Sequence, residues 1–237
     1  MAILVDKTTI AHWERFEPVQ DRGEDWQTYL EFPGRTKDSL SKRMRCLSLA
    51  QLVRNVAAIK GSFAECGCLL GDSTYMIART MTRIGRSDPM HVFDSFEGLS
   101  PRSPEDRKLS PNHIDRMGVQ AMLESGVTMF RAEFESTKRN LSPFPFVHLY
   151  PGWIPSRFPE VASETFAFVH IDVDLYEPIL KSLEFFYPRL APGGVIQIDD
   201  YNFMDWPGAK TAVDQFLATN KASFFFQLPL GGAFLIK

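Results

Sequence analysis

The feature that most constrains this chain is a regular alternation of short apolar segments with longer amphipathic ones from residue 38 onward. It predicts strands at 62–66, 90–94, 146–150, 166–172 and 195–199, and helices at 38–59, 73–84, 113–126, 176–190 and 207–219. Such alternation forms crossover units and a mainly parallel sheet covered on both faces. With a last hairpin from 223–228 and 233–237, the fold class is α/β: a doubly wound, seven-stranded sheet that ends in an antiparallel pair.

The composition of the chain limits its functional class. Its 237 residues, 44% of them hydrophobic, suit one large domain, which excludes a disordered or disulfide-scaffold protein. A net charge of −3 argues against a nucleic-acid-binding face, and we interpret the basic stretch 42–45 as the solvated side of a helix. Because the three cysteines lack framework spacing and no signal peptide or membrane-length apolar segment is present, we expect a cytoplasmic protein without nucleic-acid or membrane partners.

The carboxyl ends of the strands are where a doubly wound sheet binds its ligands. The first strand leads through a turn with Gly67 and Gly71 into a helix whose N-terminus can bind an anion. Neither G-x-G-x-x-G nor G-K-[ST] follows, which disfavours a nicotinamide fingerprint and a P-loop. Asp94 ends the second strand, where an acidic residue either holds a ribose diol or caps a loop.

Four aspartates follow the fourth and fifth strands: Asp172, Asp174, Asp199 and Asp200. Carboxylates crowded at neighbouring strand ends repel one another, and a divalent cation removes that repulsion. Oxygen ligands of this type suit Mg²⁺. The alternative is that these residues are helix caps or ion-pair partners. For His170, inside the apolar fourth strand, we expect a hydrogen-bonded core histidine rather than a general base.

Several motifs together resemble one family of enzymes. They are Glu65-Cys-Gly67, Phe93-Asp-Ser-Phe-Glu-Gly98, Asp172-Val-Asp-Leu-Tyr-Glu-Pro178, Tyr187-Pro-Arg-Leu-x-Pro-Gly-Gly194 and Asp199-Asp-Tyr201. In order, from about residue 37 to 217, they resemble the macrocin O-methyltransferases, which are class I S-adenosylmethionine-dependent enzymes that methylate sugar hydroxyls in natural-product biosynthesis. Asp72 stands where that family usually has a glycine, and Val173 interrupts an Asp-Gly-Asp loop, but neither change removes a proposed ligand.

The resemblance implies a class I methyltransferase domain at 37–237 and a set of site residues. Residues 1–36 are predicted as an N-terminal extension or lid, whose aromatic side chains either cover the acceptor or form a dimer contact. The residues implied around S-adenosylmethionine are Glu65, Gly67, Gly71 and Ser73 at the methionine part, Asp94 at the ribose, Ser95 and Phe96 beside the adenosine, and Gly152 and Trp153 at the adenine. The ligands implied for Mg²⁺ are Asp172, Asp199 and Asp200.

The predicted reaction is methyl transfer from S-adenosylmethionine to a sugar hydroxyl of a glycosylated natural product or saccharide. A cation that coordinates an alcohol oxygen lowers the pKa of that hydroxyl, Asp172 accepts its proton as general base, and Asp174 and Tyr176 are candidates to orient the acceptor. A phenol or catechol acceptor is the alternative. More remote are an NAD(P)-dependent oxidoreductase and a non-catalytic cofactor-binding protein. We expect a small, sugar-bearing acceptor as the partner, and a homo-oligomer, namely a dimer.

Overall fold

The structure is a computed structural model that describes residues 23–34, 40–109, 113, 118–124, 129–229 and 231–237. Within these residues, the helices are α1 (Glu24–Glu31), α2 (Leu40–Asn55), α3 (Asp72–Arg83), α4 (Val119–Glu124), α5 (Phe134–Asn140), α6 (Tyr176–Arg189) and α7 (Pro207–Thr219). The strands are β1 (Ser62–Cys66), β2 (Met90–Asp94), β3 (Val147–Pro151), β4 (Phe166–Ile171), β5 (Leu190–Ile198), β6 (Phe224–Gln227) and β7 (Ala233–Ile236).

The strands form one sheet in the order β3-β2-β1-β4-β5-β7-β6. Strands β1 to β5 pair in parallel, whereas β7 runs antiparallel to both β5 and β6. The chain starts in the middle of the sheet, winds outward to β3, and then crosses back to β4. The carboxyl ends of β1 and β4 therefore meet where the winding reverses, which is where this type of sheet binds ligands. The predicted fold class, including the closing hairpin, is confirmed.

Alternation along each strand divides the core into two layers. Phe168 packs with α2 and α3 on one face of the sheet, whereas Ile171 and Ile198 pack with α6 and α7 on the other. Residues one position beyond Ile171 and Ile198 therefore turn toward the α2 side. Because Ile171 lies opposite Ile198 in the parallel register, Asp172 and Asp199 come side by side on that face.

Most predicted elements are confirmed, with local shifts. Strands β1 and β2 and helix α7 have the predicted bounds, α2 ends at Asn55 rather than at 59, and β5 begins at Leu190 rather than at 195. Within the predicted helix at 113–126, the residues that the structure describes as helical are 119–124.

Helix α5 was not predicted. Its sequence, FESTKRN, contains one apolar residue and so shows no amphipathic period. Side chains attach it instead to the turn after β1: Thr137 Oγ1 donates to the Leu69 carbonyl at 2.7 Å, and Asn140 Nδ2 donates to the Leu70 carbonyl at 3.0 Å. Tertiary contacts thus stabilise this short helix.

Helix α1 is attached to the α/β domain through a buried carboxylate. Asp25 forms ion pairs with Arg54 of α2 and, at 3.6 Å, with Arg83 of α3. Tyr29 and Phe32 are also buried. Of the predicted segment 1–36, the structure describes residues 23–34, and the domain boundary at 36 stays a prediction. No helix among the described residues is long and apolar enough to span a bilayer.

Candidate active site

Three of the predicted acids converge at the ends of β4 and β5. Asp172, Asp199 and Asp200 each offer a carboxylate oxygen, and these three oxygens lie within 4.8 Å of one another. The parallel register explains the arrangement, because the Asp199 N–H donates to the Ile171 carbonyl at 2.9 Å and thereby continues the β4–β5 pairing into the loops. A hard divalent cation fits this donor set, since it prefers carboxylate oxygens and tolerates their convergence.

Crowding changes the acidity of these groups. Burial and repulsion from Asp199 raise the pKa of Asp172 to about 7. Burial and the neighbouring carboxylates raise the pKa of Asp174 and of Asp200 as well. The Asp174 backbone, at φ 57°, donates its N–H to Asp200 Oδ2 at 3.0 Å, so the loop after β4 folds around this carboxylate. These shifts express the repulsion that a bound cation would relieve.

Two cationic side chains face the acids. Arg45 of α2 forms an ion pair with Asp199 Oδ2, and His170 Nε2 lies 3.9 Å from Asp199 Oδ1. Burial by itself raises the pKa of Asp199, but His170 and Arg45 outweigh it and leave that pKa below its ordinary value. Burial lowers the pKa of His170, but Asp199 and Glu65 outweigh it and raise the value to about 10. The two carboxylates therefore favour the protonated form of His170, which disfavours it as a general base.

The interpretation of residues 42–45 as a solvated helix side was wrong. Lys42 forms an ion pair with Asp72, the Arg43 guanidinium lies 5.0 Å from the centre of the Trp26 ring, and Arg45 reaches the acids. The available signal was helical spacing, because Arg45 lies four residues before the buried Leu49 and hence on the face of α2 that turns to the sheet.

A buried side-chain network connects the acids to β1. Glu65 is fully buried; its Oε1 lies 2.8 Å from His170 Nδ1, and its Oε2 accepts from the Thr74 hydroxyl of α3. The pairing register places Glu65 directly opposite His170. The expectation that His170 is a hydrogen-bonded core residue is confirmed at Nδ1, whereas buried Nε2 has no hydrogen-bond partner among the described residues.

The turn after β1 approaches the end of β4 closely. Gly67 has φ 81°, and a Cβ there would lie 1.9 Å from the Asp172 carbonyl oxygen, so a side chain would separate the two strand ends. Gly71, at φ 90°, is the N-cap of α3 and provides no side-chain hydrogen bond to the helix. The N–H groups of the first turn, which includes the buried Ser73, thus suit an anion such as the carboxylate of a methionine moiety.

Asp94 is already a hydrogen-bond acceptor for the backbone around it. Its Oδ2 accepts from the N–H groups of Cys68 at 2.8 Å and Leu69 at 3.0 Å, and its Oδ1 accepts from that of Phe96 at 2.7 Å. Asp94 therefore does cap the loops around it, as the alternative interpretation predicted. A carboxylate has about four acceptor positions, so three N–H groups leave room for a ribose hydroxyl. The ribose assignment stays a prediction.

The remaining residues predicted at the adenosine directly follow β2 and β3. The Ser95 hydroxyl donates to the Gly98 carbonyl at 3.0 Å, and the Phe96 ring is buried 5.2 Å from the Phe134 ring. Gly152 donates its N–H to the Asp94 carbonyl at 2.9 Å, which keeps the loop after β3 beside β2. Trp153 is 40% exposed and does not belong to the core. An aromatic ring that stacks on a base needs such exposure.

Tyr176 forms hydrogen bonds with Asp106 and Gln215. Its hydroxyl donates to Gln215 of α7 at 2.5 Å, and its backbone N–H donates to Asp106 Oδ1 at 2.8 Å. Asp106, which the sequence did not single out, also accepts from the N–H and the hydroxyl of Ser103, so it fixes the loop after β2 onto α6. None of these hydrogen bonds of Tyr176 involves Asp172, Asp199 or Asp200.

The sheet order and the closing antiparallel pair are those of the class I methyltransferase fold. The structure of the O-methyltransferase NovP has this fold, with a TM-score of 0.62 and 24% identity over 81% of this chain and 79% of that one. The calicheamicin methyltransferase CalS11 has it too, with a TM-score of 0.65 and 19% identity over 98% and 93% of the two chains.

Comparison of the sequence with known proteins identifies the family within this fold. A profile described as macrocin-O-methyltransferase (TylF) matches residues 5–224, so the chain belongs to this family and is an O-methyltransferase. The match extends further toward the N-terminus than the motifs described above. Demethyldecarbamoylnovobiocin O-methyltransferase of Streptomyces niveus is 27% identical over 88% of this chain and 79% of its own. A rhamnosyl-tetracenomycin-C 4'-O-methyltransferase of Streptomyces olivaceus is 30% identical over 60% of this chain and 54% of its own.

Proposed function

We propose that the protein transfers the methyl group of S-adenosylmethionine to a sugar hydroxyl of a glycosylated natural product or saccharide, with Mg²⁺ at Asp172, Asp199 and Asp200. The family membership supports O-methyl transfer rather than hydride transfer or passive cofactor binding. The convergence of three carboxylate oxygens within 4.8 Å carries the metal part of the proposal. The names of the relatives, which include a rhamnosyl-bearing acceptor, support a sugar rather than a phenol or catechol.

The cofactor would lie across the ends of β1, β2 and β3. The N-terminus of α3 would hold its carboxylate, Asp94 would accept from a ribose hydroxyl, and Trp153 would stack on the adenine. Glu65 has both oxygens engaged, with His170 and Thr74, so it would act mainly by fixing the floor of the site rather than by contacting the methionine part.

The acceptor would bind beyond β4 and β5. A divalent cation held by the three acids would supply Lewis acidity, which lowers the pKa of an acceptor hydroxyl. Asp172 would accept the hydroxyl proton at its carboxylate while the oxygen takes the methyl group, and S-adenosylhomocysteine would leave.

Metal removal and an acceptor panel test this proposal. We expect EDTA to abolish methyl transfer and Mg²⁺ to restore it, while S-adenosylhomocysteine binding, measured by calorimetry, changes little. Labelled S-adenosylmethionine should methylate glycosylated natural products or free nucleotide sugars in preference to catechols. Full activity in metal-free buffer would contradict the metal role, and exclusive methylation of catechols would contradict the sugar acceptor.

We also propose a homodimer in the cytoplasm. The compartment is supported by the three cysteines, all of which are buried and not disulfide-bonded. Sedimentation equilibrium measures the oligomeric state directly. A monomer at micromolar concentration would contradict the proposed homodimer.

A further inference from the structure

Helix α2 directs two basic side chains to the carboxyl edge of the sheet. Lys42 pairs with Asp72 at the start of α3, and Arg45, one turn later, pairs with Asp199. The Arg45 side chain is 29% exposed, and its guanidinium lies 5.8 Å from the centre of the Phe203 ring in the loop after β5. The acids therefore receive a positive charge from a helix that precedes the first strand.

The Arg45 guanidinium uses only part of its hydrogen-bonding capacity among the described residues. Its contact with the acids is the ion pair to Asp199 Oδ2, while Arg45 Nε is buried and has no hydrogen-bond partner among the described residues. Asp199, by contrast, is only 3% exposed and also faces His170. The carboxylate would thus keep its place if Arg45 withdrew, whereas Arg45 stays because of the charge of the acids.

We propose that Arg45 is an internal counter-cation of the acid site, which competes electrostatically with the divalent cation and sets the concentration at which that cation binds. This inference rests on the metal site of the proposed function. Without a divalent ion, Arg45 offsets the repulsion among Asp172, Asp199 and Asp200. When the ion binds to the same carboxylates, Arg45 becomes a like charge beside it.

Two opposing effects decide the sign of an Arg45 substitution. Arg45 helps to orient Asp199, so its loss frees some rotamers of one carboxylate, and this weakens metal binding slightly. Its loss also removes a positive charge beside a divalent ion. At an effective dielectric of about 20, charges a few ångströms apart interact strongly enough to change an affinity by more than about tenfold. The electrostatic effect is the larger, so removal of Arg45 should tighten metal binding.

Mn²⁺ binding and melting temperature test this inference. We expect Arg45→Met to bind Mn²⁺, measured by titration of the free-ion paramagnetic signal, about tenfold or more tightly than the parent protein does. In EDTA the same variant should melt at a lower temperature than the parent, because the carboxylates then lack a counter-charge. Saturating Mg²⁺ should close most of that gap, because the ion replaces the lost charge.

Three further variants define the comparison. Lys42→Met removes the ion-paired cation one turn before Arg45 and should leave Mn²⁺ affinity within about twofold of the parent value. Arg45→Lys keeps the charge and should also stay close to the parent. Arg45→Gln retains a hydrogen-bond donor for Asp199 but not the charge, and it serves if Arg45→Met does not remain folded in EDTA.

The outcomes distinguish the role of Arg45 from the proposed metal site on which it rests. Equal or weaker Mn²⁺ binding by Arg45→Met and Arg45→Gln, with clear binding by the parent, overturns the role of Arg45 and leaves the metal site standing. Failure of the parent and of both variants to bind Mn²⁺ overturns the metal site and Arg45 together. Methyl transfer that needs no metal, measured separately, then decides whether the enzymatic proposal survives.

Discussion

The two halves of the candidate site differ in how their charges are satisfied. Beyond β1 and β2, the Asp94 carboxylate accepts three backbone N–H groups from its own and the neighbouring loop. Beyond β4 and β5, the carboxylates face one another, and their balancing charges come from side chains elsewhere, Arg45 of α2 and His170. The first half is a hydrogen-bonded turn that leaves room for a neutral hydroxyl, whereas the second half is a cluster of like charges that a cation would complete.

The largest effect is expected in the electrostatic half. Asp172→Asn keeps an oxygen that can ligate Mg²⁺, but the amide cannot accept the acceptor's proton. General-base catalysis contributes about 10²- to 10⁴-fold, so kcat should fall by that factor at neutral pH, and excess Mg²⁺ should rescue acceptor binding without rescuing turnover. Raising the pH should recover part of the loss, because hydroxide can replace the missing base.

The control for this variant is Asp214→Asn, which alters a carboxylate of α7 that binds Lys210 and Tyr201 and lies outside the site. Its kcat should match the parent value. If saturating Mg²⁺ returns Asp172→Asn to the parent kcat, Asp172 is a ligand and not the base. If only the melting temperature falls, neither role holds, and the two halves differ less than we infer.

A smaller effect is expected in the hydrogen-bonded half. Asp94→Ala removes the acceptor of a ribose hydroxyl, worth about 1.5–3 kcal/mol because the bond is charge-assisted, and should weaken S-adenosylhomocysteine binding accordingly. It also frees the N–H groups of Cys68 and Leu69, so the melting temperature should fall even without the cofactor.

Asp94→Asn separates these two roles of Asp94, since its amide keeps one oxygen acceptor and loses the charge. Asp88→Asn serves as the control, because Asp88 precedes the same strand and pairs with Arg86 outside the site. Calorimetry should place the cofactor affinity of Asp94→Asn between those of the parent and Asp94→Ala. Unchanged affinity in Asp94→Ala would show that Asp94 supports the turn and does not hold the ribose.

The same contrast explains what the sequence could predict. The alternation of apolar segments defines the sheet, and its strand ends locate Asp94 and the three acids. The hydrogen bonds that three backbone N–H groups donate to Asp94 depend on the backbone conformation of the loops after β1 and β2, which residue types do not determine. Helical spacing places Arg45 on the face of α2 that turns to the sheet, but its pairing with Asp199 depends on how α2 is rotated over the sheet, which the spacing does not determine. Helix α5 is stabilised by Thr137 and Asn140, and no local pattern reveals it.

The last prediction concerns the pH dependence of stability, which should also differ between the two halves. The pKa of Asp172 is raised to about 7 in the folded protein, whereas an unfolded aspartate has about 3.9. The folded state therefore holds this proton more tightly than the unfolded state does. The stability that protonated Asp172 contributes to the folded protein is complete below about pH 4 and is lost as the pH rises through 7. His170, with its pKa raised to about 10, acts in the same direction between about pH 6.5 and 10.

In EDTA, the melting temperature should thus decrease from pH 5 to pH 8, with about 2–4 °C corresponding to each kcal/mol in a protein of this size. The lowered pKa of Asp199 has the opposite sign, but it acts below about pH 4 and outside this range. Saturating Mg²⁺ should flatten the curve between pH 5 and 7, because the ligating carboxylates then stay ionised. Asp172→Asn should make the decrease shallower in EDTA, because it removes one of the groups with a raised pKa and leaves the others, whereas Asp94→Asn should leave the slope unchanged. A melting temperature that rises with pH in EDTA would mean that the acids beyond β4 and β5 are not crowded, and it would remove the physical reason to place a cation there.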